Sequence, residues 1–115
     1  MERNMKHWLA IHTYSNNETK REWQSPPESG PSTDEEFIRI GTFKNAKCLQ
    51  QWMGTEDFFF CHWKAETEDD IYQALKELGS DMTLQTVVYE SHRFVSAYKL
   101  TGEEIVYPPF KPLSE

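Results

Sequence analysis

Residues 58–63 read FFFCHW. Successive side chains of a β-strand point to opposite faces. An extended reading therefore sends Phe58, Phe60 and His62 one way and Phe59, Cys61 and Trp63 the other. Large apolar side chains on both faces need cover on both faces. That requirement restricts the folds open to this chain more than any other feature does. The strand belongs inside a sheet that is sheltered twice.

The neighbouring segments supply the rest of such a sheet. KHWLAIHTY (6–14) reads as a strand, with Trp8, Ala10, His12 and Tyr14 on one side and His7, Leu9, Ile11 and Thr13 on the other. NAKCLQQWM (45–53) and residues 57–65 read as two further strands joined through Gly54-Thr55 as a hairpin. LQTVVYE (84–90) reads as a fourth. Between strands, residues 15–24 suit a short polar helix. The proline-rich stretch 25–32 breaks it, and Thr33 with Glu36 caps a second helix over about 34–43. The helix after Thr67 is the plainest of the three. Thr67 and Asp70 form a capping box, Ile71, Leu75 and Leu78 make one apolar stripe, and Gly79 ends it.

The chain order is thus strand, helix, strand, strand, helix, strand, followed by an arm over about 92–115 that contains Pro108, Pro109 and Pro112. This is the α+β arrangement of a ferredoxin-like βαββαβ sandwich, an antiparallel sheet with helices on one face. A chain of 115 residues accommodates one such domain, 1–115, with an irregular loop at 25–32. If the helices cover one face, the apolar residues of the other need a second subunit, sheet against sheet, or the C-terminal arm. A homodimer is the expectation.

Composition excludes several classes. A formal charge of −7 and the lack of any Lys/Arg run predict no nucleic-acid partner. No apolar run reaches the roughly 18–20 residues that cross a membrane. The first residues lack a signal-peptide pattern, and two cysteines are too few for a disulfide scaffold. A cytoplasmic protein with reduced thiols is the expectation. The apolar fraction is only 37%, yet the aromatic residues, 14% of the chain, cluster at 52–63 and 87–98, enough to build a core.

The segments HWLAIHTY, NAKCLQQW, DFFFCHWKAETEDDIYQALKELG and LQTVVYE, about half of the chain, resemble the dimeric α/β-barrel superfamily. They are similar in particular to a group of small bacterial proteins that includes a nickel-binding representative. The pattern A-x-[ST]-E-x-x-[IL] after the third strand is matched by Ala65, Thr67, Glu68 and Ile71. The resemblance implies two ferredoxin-like sheets paired into a barrel, sometimes around a ligand cleft. It also implies relatives that act as cofactor-free monooxygenases or handle haem. The loop 25–32 and the C-terminal arm depart from that pattern.

For chemistry, the residues of interest are Cys48, Cys61 and the histidines. A two-residue turn at 54–55 would set Cys48 opposite Cys61, and a three-residue turn opposite His62. Thiolate and imidazole together make either an activated nucleophile or a ligand set for a transition metal such as nickel. The metal candidates are His12, Cys48 and His62. Against this, unpaired cysteines commonly serve as small buried apolar fillers. His7 and His92 sit near strand ends, where solvent accounts for them. Trp52, Phe60, Trp63 and Tyr89 are the candidates for lining an apolar pocket, and Trp23 for anchoring the loop or forming a lid. The carboxylates at 66–70 are explained by the helix start, which leaves Glu90 as the only acid near a cleft. The main reading is a homodimeric protein that binds a small apolar or metal ligand, with no catalytic residue assigned. The alternatives are a cofactor-free monooxygenase-like enzyme acting on a small aromatic substrate, and a weak transition-metal binder using Cys and His.

Overall fold

The computed structural model describes residues 4–26, 28 and 30–114. Parts of the loop 25–32 and the two ends of the expected 1–115 domain therefore lie outside the described residues. The elements are β1 (Lys6–Tyr14), α1 (Asn17–Gln24), α2 (Asp34–Ile40), β2 (Ala46–Trp52), β3 (Phe58–Ala65), α3 (Glu68–Glu77), a 3₁₀ turn at Ser80–Met82, and β4 (Leu84–Ser91). The four strands form one antiparallel sheet in the order β2-β3-β1-β4, the ferredoxin-like order.

Local chemistry accounts for the helices. Asn16 caps α1 by accepting from the Thr19 backbone N–H at 2.8 Å, and Thr33 caps α2 through the N–H of Glu36 at 3.1 Å. Thr67 and Asp70 close a complete capping box at α3. The α3 stripe buries Ile71, Ala74 and Leu75 against the sheet, and each large apolar side chain so buried is worth roughly 1.5–3 kcal/mol. Gly79 then turns the chain at φ 76°, which only glycine adopts without strain. The second helix ends at Ile40, short of the expected 43, because the chain must return beside β2 at once. There the Cys48 N–H donates to the Gly41 carbonyl at 2.8 Å.

Strand parity sorts the residues as expected. Trp8, Ala10, His12 and Tyr14 of β1 join Phe59, Cys61, Trp63 and Ala65 of β3 and Leu84 and Val88 of β4 under the helices, all buried. The opposite face carries Leu9, Ile11, Phe58, Phe60, Val87, Tyr89 and Trp52, with Val87 and Tyr89 50% and 57% exposed.

Two expectations are corrected. The sheet does not close into a barrel, so the chain is not of the dimeric α/β-barrel type. Its edges, β2 and β4, stand at opposite ends of only four strands. A twist of about 20–25° per strand leaves such edges far apart. The hairpin register is also neither of the two expected. A bulge at Leu49 makes Cys48 pair with Trp63, while Gln50 pairs with His62 and Gln51 with Cys61. Among the described residues no helix is long and apolar enough to cross a membrane.

Candidate functional site

Between the sheet and the helices lies a cavity of about 220 Å³. Its existence follows from side-chain size. The middle of the helix-facing sheet surface carries Ala10, Cys48 and Cys61, which are too short to fill the layer that large aromatics hold open. The sheet contributes Cys48, Cys61, Phe59, Trp63 and His12 to the walls. Trp23 of α1, Phe37 of α2 and Leu75 of α3 close the other sides. The Trp23 ring stands 5.0 Å from that of Phe59, so the residue expected to anchor a loop or form a lid packs directly on the cavity wall. At Gly41, a Cβ would meet the Cys48 Cβ at 3.0 Å, so glycine permits α2 to end this close to β2.

The polar groups of this wall are few. The His12 side chain is 1% exposed, its Nδ1 lies 2.7 Å from Thr86 Oγ1, and its ring packs on Phe59 at 4.7 Å. Burial pushes its pKa down to about 4, so the imidazole is neutral near pH 7. Cys48 and Cys61 are free and buried. Interaction with the Cys61 thiol holds the Cys48 thiol below its ordinary pKa, while the same interaction and burial push Cys61 up. The Cys48 thiol also lies 3.5 Å from the Gln50 carbonyl.

One residue of the wall also carries an unpaired polar atom. The Trp63 indole N–H is buried and has no hydrogen-bond partner. Trp8, on the same face, donates its indole N–H to the Ala65 carbonyl at 3.0 Å. A buried donor left unpaired costs roughly 1–3 kcal/mol. Trp63 is the only such side-chain group among the described residues.

A second cluster occupies the other face. His62 Nε2 lies 2.9 Å from His7 Nδ1, and Gln50 Nε2 lies 2.9 Å from His62 Nδ1. Phe94, from the segment after β4, sets its ring edge-on to both imidazoles, with centroids at 4.6 Å from His62 and 4.8 Å from His7. With both rings neutral, Gln50 donates to His62 and His62 to His7. Burial and the charge of nearby Lys99 lower both pKa values. Lys64 adds to the effect at His7, and the neighbouring His7 ring adds to it at His62.

This geometry divides the residues singled out in the sequence. His12 and Cys48 line the cavity, but β3 stands between their strands. Strands two apart are separated by about 9–10 Å, too far for a direct thiol–imidazole contact. His62 is on the opposite face altogether. Among the described residues no group of three or more His, Cys, Asp or Glu is placed to hold a metal ion, so the metal site expected from His12, Cys48 and His62 is not formed. Trp63 lines the cavity, whereas Trp52, Phe60 and Tyr89 lie on the open face. Glu90 bonds instead with Lys6 and His92 at 3.8 and 3.4 Å.

Sequence reasoning gave His7 little weight and did not consider Gln50 or Phe94. Parity alone puts His7 and His62 on one face, and that signal was available. The approach of Phe94 was not, since it depends on the path of an irregular arm.

The chain matches no protein-family model, no curated protein and no solved structure. The resemblance to a group with a nickel-binding member therefore finds no support, and the ligand set that such a likeness would need is absent among the described residues.

Proposed function

We propose that the domain binds a small, mostly apolar, uncharged molecule in the cavity between sheet and helices, anchored by a hydrogen bond from the Trp63 indole N–H. The unpartnered donor of Trp63 carries this reading, because an acceptor on a ligand recovers the free energy that an unpaired buried donor forfeits. The wall holds no Lys, Arg, Asp or Glu, and its histidine is neutral, so a charged ligand would find no counter-ion. Size sets the scale. A dry engineered cavity of roughly 150 Å³ accepts benzene, so about 220 Å³ suits a bicyclic ring system. A polar acceptor such as a carbonyl or ring nitrogen completes the match. No covalent or redox step is assigned to Cys48, Cys61 or His12.

The test is a thermal-shift and NMR titration with naphthalene, quinoline and coumarin. Quinoline and coumarin should raise the melting temperature and shift the resonances of Trp23, Phe37 and Trp63. In Trp63→Phe their advantage over naphthalene should shrink by roughly threefold to tenfold, the worth of one neutral hydrogen bond. If none of the three perturbs the cavity residues, the reading fails.

The open face supports a second reading, that another copy of the chain covers it. Trp52, Phe58, Val87 and Tyr89 are each more than a third exposed there, and contiguous apolar surface of this kind commonly marks a contact site.

A further inference from the structure

The His7 corner of the open face gathers cations. Lys47 of β2 pairs directly with Lys64 of β3, and Lys64 pairs in turn with His7 of β1. Like charges directly opposite one another on adjacent strands repel. The open-face positions of the four strands hold no Asp or Glu to offset them, although the chain has 19 acidic and only 12 Lys and Arg side chains. The arm after β4 adds two more cations instead. The Lys99 N–H donates to the Ser96 carbonyl at 3.2 Å, in a turn that sets the Lys99 ammonium where its charge acts on both imidazoles. Arg93 lays the face of its guanidinium 4.6 Å over the Tyr107 ring, which leaves the N–H edge free to donate.

Hydrogen bonding fixes what His7 offers. Gln50 Nε2 can only donate, so His62 Nδ1 accepts and the His62 proton sits on Nε2. That proton goes to His7 Nδ1 at 2.9 Å, which places the His7 proton on Nε2 as a further donor. His62 is 6% exposed, so the relay behind this donor is held in place by burial. His7, Arg93 and Lys99 line one cleft of about 360 Å³. Glu103 and Glu104 lie on the same lining beyond the Gly102 turn, and among the described residues neither pairs with Lys64, Arg93 or Lys99. Glu90, at the end of the sheet, is taken up by Lys6 and His92.

We propose that this corner binds a small phosphoryl dianion, inorganic phosphate or a phosphate monoester, between the His7 Nε2–H, the Arg93 guanidinium and the ammonium groups of Lys64 and Lys99. A tetrahedral phosphoryl group has acceptor oxygens for several separate donors, where a carboxylate has two. Its charge also offsets the repulsion that the cations exert on one another. Burial and neighbouring positive charge hold His7 and His62 neutral. A bound dianion opposes that charge and lets the pair take up a proton, so binding strengthens as pH falls.

Titration of the full chain with inorganic phosphate, phenyl phosphate and sulfate, followed by NMR at constant ionic strength with chloride as the control, tests the site. Phosphate or phenyl phosphate should saturate with a Kd of about 1 mM or tighter and shift the resonances of His7, His62 and Lys99. Saturation by phenyl phosphate alone supports a monoester, and equal binding of the two supports the inorganic ion. Sulfate stays a dianion throughout, so its affinity should rise at least about threefold between pH 7.5 and pH 5.5. Lys64→Gln and Lys99→Gln should each weaken phosphate binding about twofold to fivefold. Lys64→Gln also relieves the repulsion from Lys47, so its melting temperature without anion should not fall. Lys111→Gln, outside the cleft, should bind like the parent chain. Shifts that stay linear to about 20 mM, that chloride reproduces, or that Lys111→Gln reduces as much as Lys64→Gln does overturn the proposal. So does sulfate binding that is independent of pH.

Discussion

His7 Nδ1 and His62 Nε2 lie 2.9 Å apart on the open face of the sheet, diagonally across the β1–β3 ladder in which His7 pairs with Lys64 and Leu9 with His62. The pair is stable only while at least one facing nitrogen accepts. Each ring also takes the edge of Phe94, so the pair is where the arm is fastened to the body.

Acid should therefore unfasten the arm. Both imidazoles are held below the ordinary histidine pKa of 6.5, His7 by burial, Lys64 and Lys99 and His62 by burial, His7 and Lys99, so the folded state prefers them neutral. The unfastened arm has no such preference, and it gains ground as pH falls below 6.5. Gln50 remains against His62 Nδ1 and offers no negative charge to compensate. In NMR spectra the Phe94 ring should lose its upfield ring-current shift as pH drops below about 6.5. In His62→Phe that pH dependence should disappear.

Global stability should show a second, larger acid response from His12. Its folded pKa of about 4 lies below the ordinary 6.5, so the unfolded chain takes up the proton first. The contribution is fully present above about pH 6.5 and is lost as pH falls toward 4, amounting to about 3 kcal/mol. Urea denaturation at pH 7 and at pH 4.5 measures it. His12→Gln should flatten the difference.

Gly41→Ala should destabilise the fold. The added Cβ meets the Cys48 Cβ at 3.0 Å, and both atoms are fixed by backbone. Either α2 or β2 must shift by a few tenths of an ångström, at a cost of about 1–3 kcal/mol. The denaturation midpoint reads the cost directly, with an unchanged m-value as the check on compactness.

The two thiols should differ in reactivity. Cys61 holds Cys48 below its ordinary pKa and is itself pushed up, so Cys48 is the residue that ionises. Intact-mass and peptide mapping after iodoacetamide should find Cys48 alkylated first and slowly, since both are buried. In Cys61→Ala, Cys48 should lose its advantage over an ordinary buried thiol. A cavity ligand should slow the reaction further.

Much of this architecture is legible in the amino-acid order. Period two along KHWLAIHTY and FFFCHW assigns each side chain to its face. The capping box and Gly79 place α3, because those interactions are made within a few residues of chain. Both classes of signal are local, and local rules hold when no distant group competes with them.

What the tertiary structure alone decided is what no local rule reaches. The bulge at Leu49 replaced both expected registers of Cys48 with a pairing to Trp63. One extra residue in a strand is cheap locally, and the packing of Cys48 under Gly41 selects it. The split of His12 and Cys48 from His62 across the sheet, the open edges of β2 and β4, and the docking of Phe94 on two histidines are likewise settled by three-dimensional neighbours. Side chains that are 55 residues apart in the chain, as His7 and His62 are, meet only because the sheet brings β1 beside β3.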